Sequence, residues 1–192
     1  ILYSDGYEAD DIIGTLAKKA EKEGYVTYMM TPDKDFGQLV SENIFMYKPA
    51  RMGNKAEIWG VEEVCKKFEI DDPLQVIDYL GMCGDAVDNI PGIPGVGDKT
   101  AKKFLKQYGS LENLLENTAD LKGKMKEKVE NNREQALLSK KLATIIIDAP
   151  VDFDPKALTK DPINKEVLEE VFAEMEFRTL SKRILGEELS VT

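Results

Sequence analysis

Near Gly60 the apolar residues change period, and that change constrains the fold more than any other feature. Before it, helical patterns alternate with short apolar runs. Ile12, Ile13, Leu16, Ala17 and Ala20 recur at helical spacing, so residues 8–23 are predicted to form a helix, with Gly24 placed to stop it. Residues 26–30 and 44–47 are runs of strand formers, the first predicted to be buried. Thr31-Pro32-Asp33 turns between them into a short helix over 36–40. Ile1-Leu2-Tyr3 reads as the tail of a buried strand, and residues 56–59 as a strand pairing back across the polar loop Arg51-Met52-Gly53-Asn54-Lys55. Strands alternating with helices imply a parallel α/β sheet. After Gly60 every pattern is helical: 61–68, 74–80, 99–108, 111–116, 123–130, 133–145 and 165–174. Gly109-Ser110, Ala149-Pro150 and Asp161-Pro162 punctuate them. The expected organisation is an α/β portion within residues 1–90 and an all-helical portion over 91–192.

Composition narrows the chemistry. The 192 residues contain no histidine, which excludes Ser-His and Cys-His catalysis and any His-containing zinc site. Cys65 and Cys83 form no motif, so a disulfide scaffold is not expected and a reducing, cytoplasmic setting is. No apolar run approaches the ~20 residues of a membrane helix, Ile145-Ile146-Ile147 being far too short, and no signal peptide is visible. With 26 basic against 36 acidic residues the net charge is −10, which taken whole argues against a nucleic-acid partner.

The acidic residues are not scattered. Glu8, Asp10 and Asp11 open the first helix. Asp33 and Asp35 follow the 26–30 strand, and Asp85 and Asp88 end a short helix. Residues just past strand C-termini share one sheet edge, so the first two clusters are expected to converge there. Any one cluster is equally a helix cap or a solvated turn. Seven carboxylates in one cleft would repel unless cations sat among them. Oxygen ligands without His or Cys suit Mg²⁺ or Mn²⁺, and two such ions ~4 Å apart activate water and stabilise the leaving oxygen of a phosphodiester.

The segment from Ile90 to Ala101 is the most specific stretch. Gly95-Val96-Gly97 makes a tight turn between helices, and a turn without side chains can approach a phosphate closely. Lys99, Lys102, Lys103 and Lys106 follow. A Walker-type loop does not fit, because Asp98 intervenes between Gly97 and Lys99. The pattern is that of a helix–hairpin–helix, which grips a DNA backbone without reading sequence. The local charge agrees: residues 97–145 carry 11 basic and 7 acidic side chains, so the acidity is concentrated elsewhere.

Taken together, Gly-Tyr-Glu-Ala-Asp-Asp at 6–11, Thr-Pro-Asp-Lys-Asp-Phe at 31–36 and the run from Gly84 to Ala101 resemble the 5′–3′ exonuclease domain of bacterial DNA polymerase I. That domain belongs to the flap-endonuclease-like 5′ nucleases, whose core is PIN-like. The resemblance runs through the whole chain, including Tyr108-Gly109-Ser110-Leu111-Glu112 and Glu176-Phe177-Arg178. It implies a partial PIN-like parallel-sheet core followed by a helix–two-turn–helix DNA-binding region. Glu8, Asp10, Asp11, Asp33, Asp35, Asp85 and Asp88 match the family's divalent-metal ligands. Gly95, Gly97, Lys99, Thr100, Lys102 and Lys103 match the hairpin that holds duplex DNA, where the family also tends to hold a K⁺. The implied substrates are flaps and nicked duplexes, and the implied companion is a polymerase domain of the same parent chain. A stand-alone flap endonuclease or a non-catalytic DNA-binding module would share these motifs. The family's first strand, with a further metal-binding Asp, and its helical arch have no counterpart in these residues, so the chain by itself is expected to be inactive.

Overall fold

The computed structural model describes residues 1–50, 53 and 55–186. It forms two compact units, Ile1–Phe153 and Asp154–Thr192. In the first unit, helix α1 (Ala9–Lys22) leads into strand β1 (Thr27–Met30), a 3-10 turn (Lys34–Leu39), and strands β2 (Ile44–Lys48) and β3 (Glu57–Trp59). The sheet order is β1-β2-β3; β1 runs parallel to β2 with Thr27 opposite Ile44, and β3 returns antiparallel with Met46 opposite Trp59. The predicted parallel pair and the hairpin are thus both present. The polar loop at 51–55 lies largely outside the described residues.

Two expectations for the sheet fail. Ile1, Leu2 and Tyr3 form no strand, and their side chains are exposed. A strand needs a ladder partner, and β1 leaves its outer edge unpaired among the described residues. Strand β1 is also not buried throughout: Met29 is covered, whereas Tyr28 and Met30 are exposed. Period-2 alternation puts only one face of this short sheet on the core.

That face, Met29, Ile44 and Met46, packs with Ala17 of α1 and with Val64 and Phe68 of helix α2 (Val61–Phe68). Helix α3 (Gln75–Cys83) runs through the centre, burying Val76, Leu80 and Met82 completely. Around it pack α4 (Asp98–Tyr108), α5 (Leu111–Glu116) and α7 (Arg133–Ala143), with α6 (Gly123–Asn131) before α7. Buried Asp78 of α3 ties three of these helices. It accepts from Leu111 N at 2.8 Å and from Lys140 Nζ at 2.6 Å, and Lys140 reaches Glu112 at 2.7 Å. In the second unit, Asn164 caps α8 (Lys165–Glu174), and α9 (Arg178–Leu185) follows a turn in which Phe177 packs beside Phe172.

Candidate metal centre and nucleic-acid interface

The sheet and α1 aim three chain segments at one cleft of about 520 Å³. Glu8, Asp10 and Asp11 enter from the start of α1, Asp35 from the turn after β1, and Asp88 from the loop after α3. One carboxylate oxygen from each of Asp35, Asp85 and Asp88 lies within 4.8 Å of the others. Asp33 Oδ1 accepts from Asp35 N at 3.0 Å, which fixes the 3-10 turn and hence the direction of Asp35. Asp35 Oδ1 is buried with no hydrogen-bond partner. Burial first, and then the charge of Asp33, push its carboxyl up to about 7. Burial and the carboxylates of Asp33, Glu8, Asp11 and Asp88 also raise Asp10. An orphaned buried carboxylate oxygen and an all-oxygen donor set suit a hard divalent cation.

Asp11 is engaged differently. Its Oδ2 accepts from Glu8 N at 3.1 Å, closing a capping box, and its Oδ1 accepts from Ile146 N at 2.8 Å. The carboxylate therefore ties α1 to the segment after α7, which forms the far wall of the cleft. Two buried residues without any metal-like signature anchor that segment from behind. Gln38 donates to Ala143 O at 2.9 Å and accepts from Ile145 N at 2.9 Å, and Thr15 accepts from Ala149 N at 3.0 Å. Nothing in their sequence context marks them, because both act by bonding to backbone more than 100 residues away.

The glycine-rich turn is built onto the same loop. Asp85 and Ile90 exchange two backbone hydrogen bonds, at 2.9 and 2.7 Å, and Ile93 N donates to Met82 O at 2.8 Å. Gly84 and Gly92, at φ +71° and +61°, face each other so closely that a Cβ on either would strike the other's backbone. Carboxylate loop and hairpin are consequently one rigid piece.

Lys99 and Lys103 are exposed on the first turns of α4, and Thr100 donates its N–H to Gly97 O at 2.9 Å. Lys102 is committed within the protein: its side chain is 17% exposed and its ammonium meets Asp98 at 3.0 Å and Glu69 at 3.6 Å. In its place, sequence reasoning missed Lys128. From α6 its ammonium lies directly over Gly95, in space that any Cβ would fill, and no ion pair holds it among the described residues. The basic run at 122–128 was visible, but its proximity to Gly95 depends on how α6 folds back.

A family model described as the resolvase-like N-terminal domain of 5′-3′ exonuclease matches residues 1–69, and one described as its C-terminal SAM fold matches 71–166. DNA polymerase I of Bacillus subtilis is 45% identical over 183 residues, 95% of this chain and 21% of the relative. The thermostable DNA polymerase I of Thermus filiformis is 39% identical over 93% of this chain and 21% of the relative. The chain thus spans about a fifth of these relatives' length. Among solved structures, a zinc-bound T5 5′-exonuclease superposes with a TM-score of 0.66 at 19% identity, covering 76% of this chain and 52% of that one. The catalytic core of Rad2, solved with a DNA substrate, does so with a TM-score of 0.55 at 16% identity, covering 96% and 58%. These likenesses confirm the mixed α/β core with its helical continuation. The chain belongs to the 5′-3′ exonuclease family.

Proposed function

We propose that this chain carries the chemistry of a metal-dependent 5′–3′ exonuclease and flap endonuclease. Its substrate is DNA with a 5′ end, at flaps and nicks. It works as the nuclease part of a DNA polymerase I whose polymerase domain lies in the same parent chain, in the cytoplasm. The observation that carries the reading is the convergence of Asp35, Asp85 and Asp88 around an orphaned buried carboxylate oxygen. The division of labour follows the expected boundary near residue 90: carboxylates before it, DNA grip after it. Glu8, Asp10, Asp33, Asp35, Asp85 and Asp88 would hold Mg²⁺ or Mn²⁺, and Asp11 supports them through the backbone bonds described above. When bound, such ions supply Lewis acidity to the scissile phosphate and ease deprotonation of the attacking water.

The protein's own residues do the rest. Burial pushes the Asp35 carboxyl up to about 7, so it is only partly ionised near neutrality, and a bound cation would favour its ionised form. Gly95, Gly97, Lys99, Thr100 and Lys103, with Lys128 added, hold the duplex backbone. A K⁺ at this hairpin belongs to the same reading. The pressed Gly84–Gly92 contact sets the spacing between the gripped backbone and the carboxylates. Among the described residues no helix is long and apolar enough to cross a membrane, which fits a nucleic-acid substrate in solution. The test is Mg²⁺-dependent cleavage of 5′-flapped DNA by the full-length gene product. Asp10→Asn and Asp88→Asn are expected to lower the rate about a hundredfold or more while leaving flap binding in EDTA intact. Unchanged cleavage by both variants would overturn the proposal.

A further inference from the structure

Lys34 lies between Asp33 and Asp35 in sequence, but its ammonium pairs with Asp85 Oδ2 on the loop after α3. Among the described residues it is the one cation paired with the Asp35–Asp85–Asp88 group. The two partners are unequally placed. The Asp85 side chain is 6% exposed, whereas that of Lys34 is 43% exposed. A buried carboxylate stripped of its cation is expensive. A half-exposed ammonium on a flexible stem can return to water at small cost.

The surroundings fix everything but the lysine stem. Asp85 Oδ1 accepts from Val87 N at 2.8 Å, and Asp35 N is held by Asp33 Oδ1. Rotation of the stem therefore need not disturb either carboxylate loop. Asp35 Oδ1 still lacks a partner with Lys34 in place, so one ammonium does not satisfy this group.

We propose that Lys34 is a tethered counter-ion, which holds Asp85 while no divalent cation is bound and is displaced by one, so that it sets the affinity of the site. The ammonium stays protonated throughout; an ion pair is exchanged and no covalent bond changes. The inference rests on the metal-site reading above and adds to it a competitor that the protein itself supplies.

The experiment measures Mn²⁺ binding to the full chain from the loss of the free-ion EPR signal, with thermal melting in EDTA beside it. Lys34→Met keeps the stem and removes the charge. It is expected to bind Mn²⁺ about fivefold or more tightly than the wild type, and to melt at a lower temperature in EDTA. Lys34→Arg keeps the charge and should bind as the wild type does. Equal or weaker binding by Lys34→Met overturns the inference, as does equal tightening by Lys34→Arg, since packing rather than charge would then be the cause. Should Lys34→Met not fold, Lys34→Gln makes the same comparison. Asp88→Asn separates the two readings: if it binds Mn²⁺ as tightly as the wild type, the metal site itself is wrong and the inference falls with it.

Discussion

Asp35 and Asp11 are both acidic residues at the start of a helical turn, and their surroundings give them opposite work. Asp11 spends both oxygens on backbone N–H groups, whereas Asp35 leaves Oδ1 buried and unbonded. Burial, then the charge of Asp33, lift the Asp35 carboxyl to about 7, far above its value in an unfolded chain. The sign follows directly. Between about pH 4 and 7 the native state holds a proton that the unfolded state has released, so this group's contribution to stability falls as pH rises through that window. Metal-free Asp35→Asn is therefore expected to lose less stability than the wild type between pH 5 and 8, measured by urea unfolding in EDTA. Parallel pH profiles for the two proteins would mean that Asp35 is ionised throughout. The sequence presents the seven acids as three clusters, and the structure brings Glu8, Asp10, Asp11, Asp35 and Asp88 to one cleft with Asp85 close to Asp35 and Asp88. What each does was not legible in the sequence, because it depends on which backbone donors the fold brings within 3 Å.

At the scale of elements, the helical half was readable because each helix has an apolar stripe and a turn residue at its end. Helices α2, α5 and α8 match their predicted spans, and α4, α6 and α7 differ by one or two residues at one end. Helix α9 escaped prediction because it is only eight residues long: Leu180, Ile184 and Leu185 make a brief apolar stripe, and of its residues only Ser181 is buried. The segment after β1 folds as a 3-10 turn because Asp33 caps it tightly within six residues. The contact between Gly84 and Gly92 has no signature in the sequence, where only Gly95-Val96-Gly97 stands out as a turn. In the structure these glycines weld the end of α3 to the hairpin, each at positive φ and with no room for a methyl group. Gly92→Ala is expected to cost about 3 kcal/mol of unfolding free energy, from backbone strain together with the clash. In the protein that survives, it should weaken Mn²⁺ binding and DNA binding together. A variant that loses only one of the two would show that the loop and the hairpin are independent.

At the scale of the whole molecule, the charge of −10 hides a local inversion, and part of that inversion is neutralised internally. Lys102 is held by Asp98 and Glu69, Lys140 by Asp78 and Glu112, and Lys126 lies beside Glu130. Among the described residues, the exposed ammonium groups nearest the hairpin turn that no ion pair engages include those of Lys99 and Lys103 on α4 and of Lys128, which faces Gly95 from α6. Each phosphate contact releases condensed counterions, so the dependence of affinity on salt counts the lysines that touch DNA. For nicked duplex, Lys99→Ala, Lys103→Ala and Lys128→Ala are each expected to lower the slope of log K against log[salt] by about 0.9. Lys102→Ala should leave the slope unchanged and modestly lower thermal stability instead, because it removes the ion pairs to Asp98 and Glu69 and the packing of a largely covered stem. The comparison separates a lysine that binds DNA from one that only looks as if it should. If Lys102→Ala flattens the slope while Lys128→Ala does not, the duplex lies along the outer face of α4 rather than across the Gly95 turn.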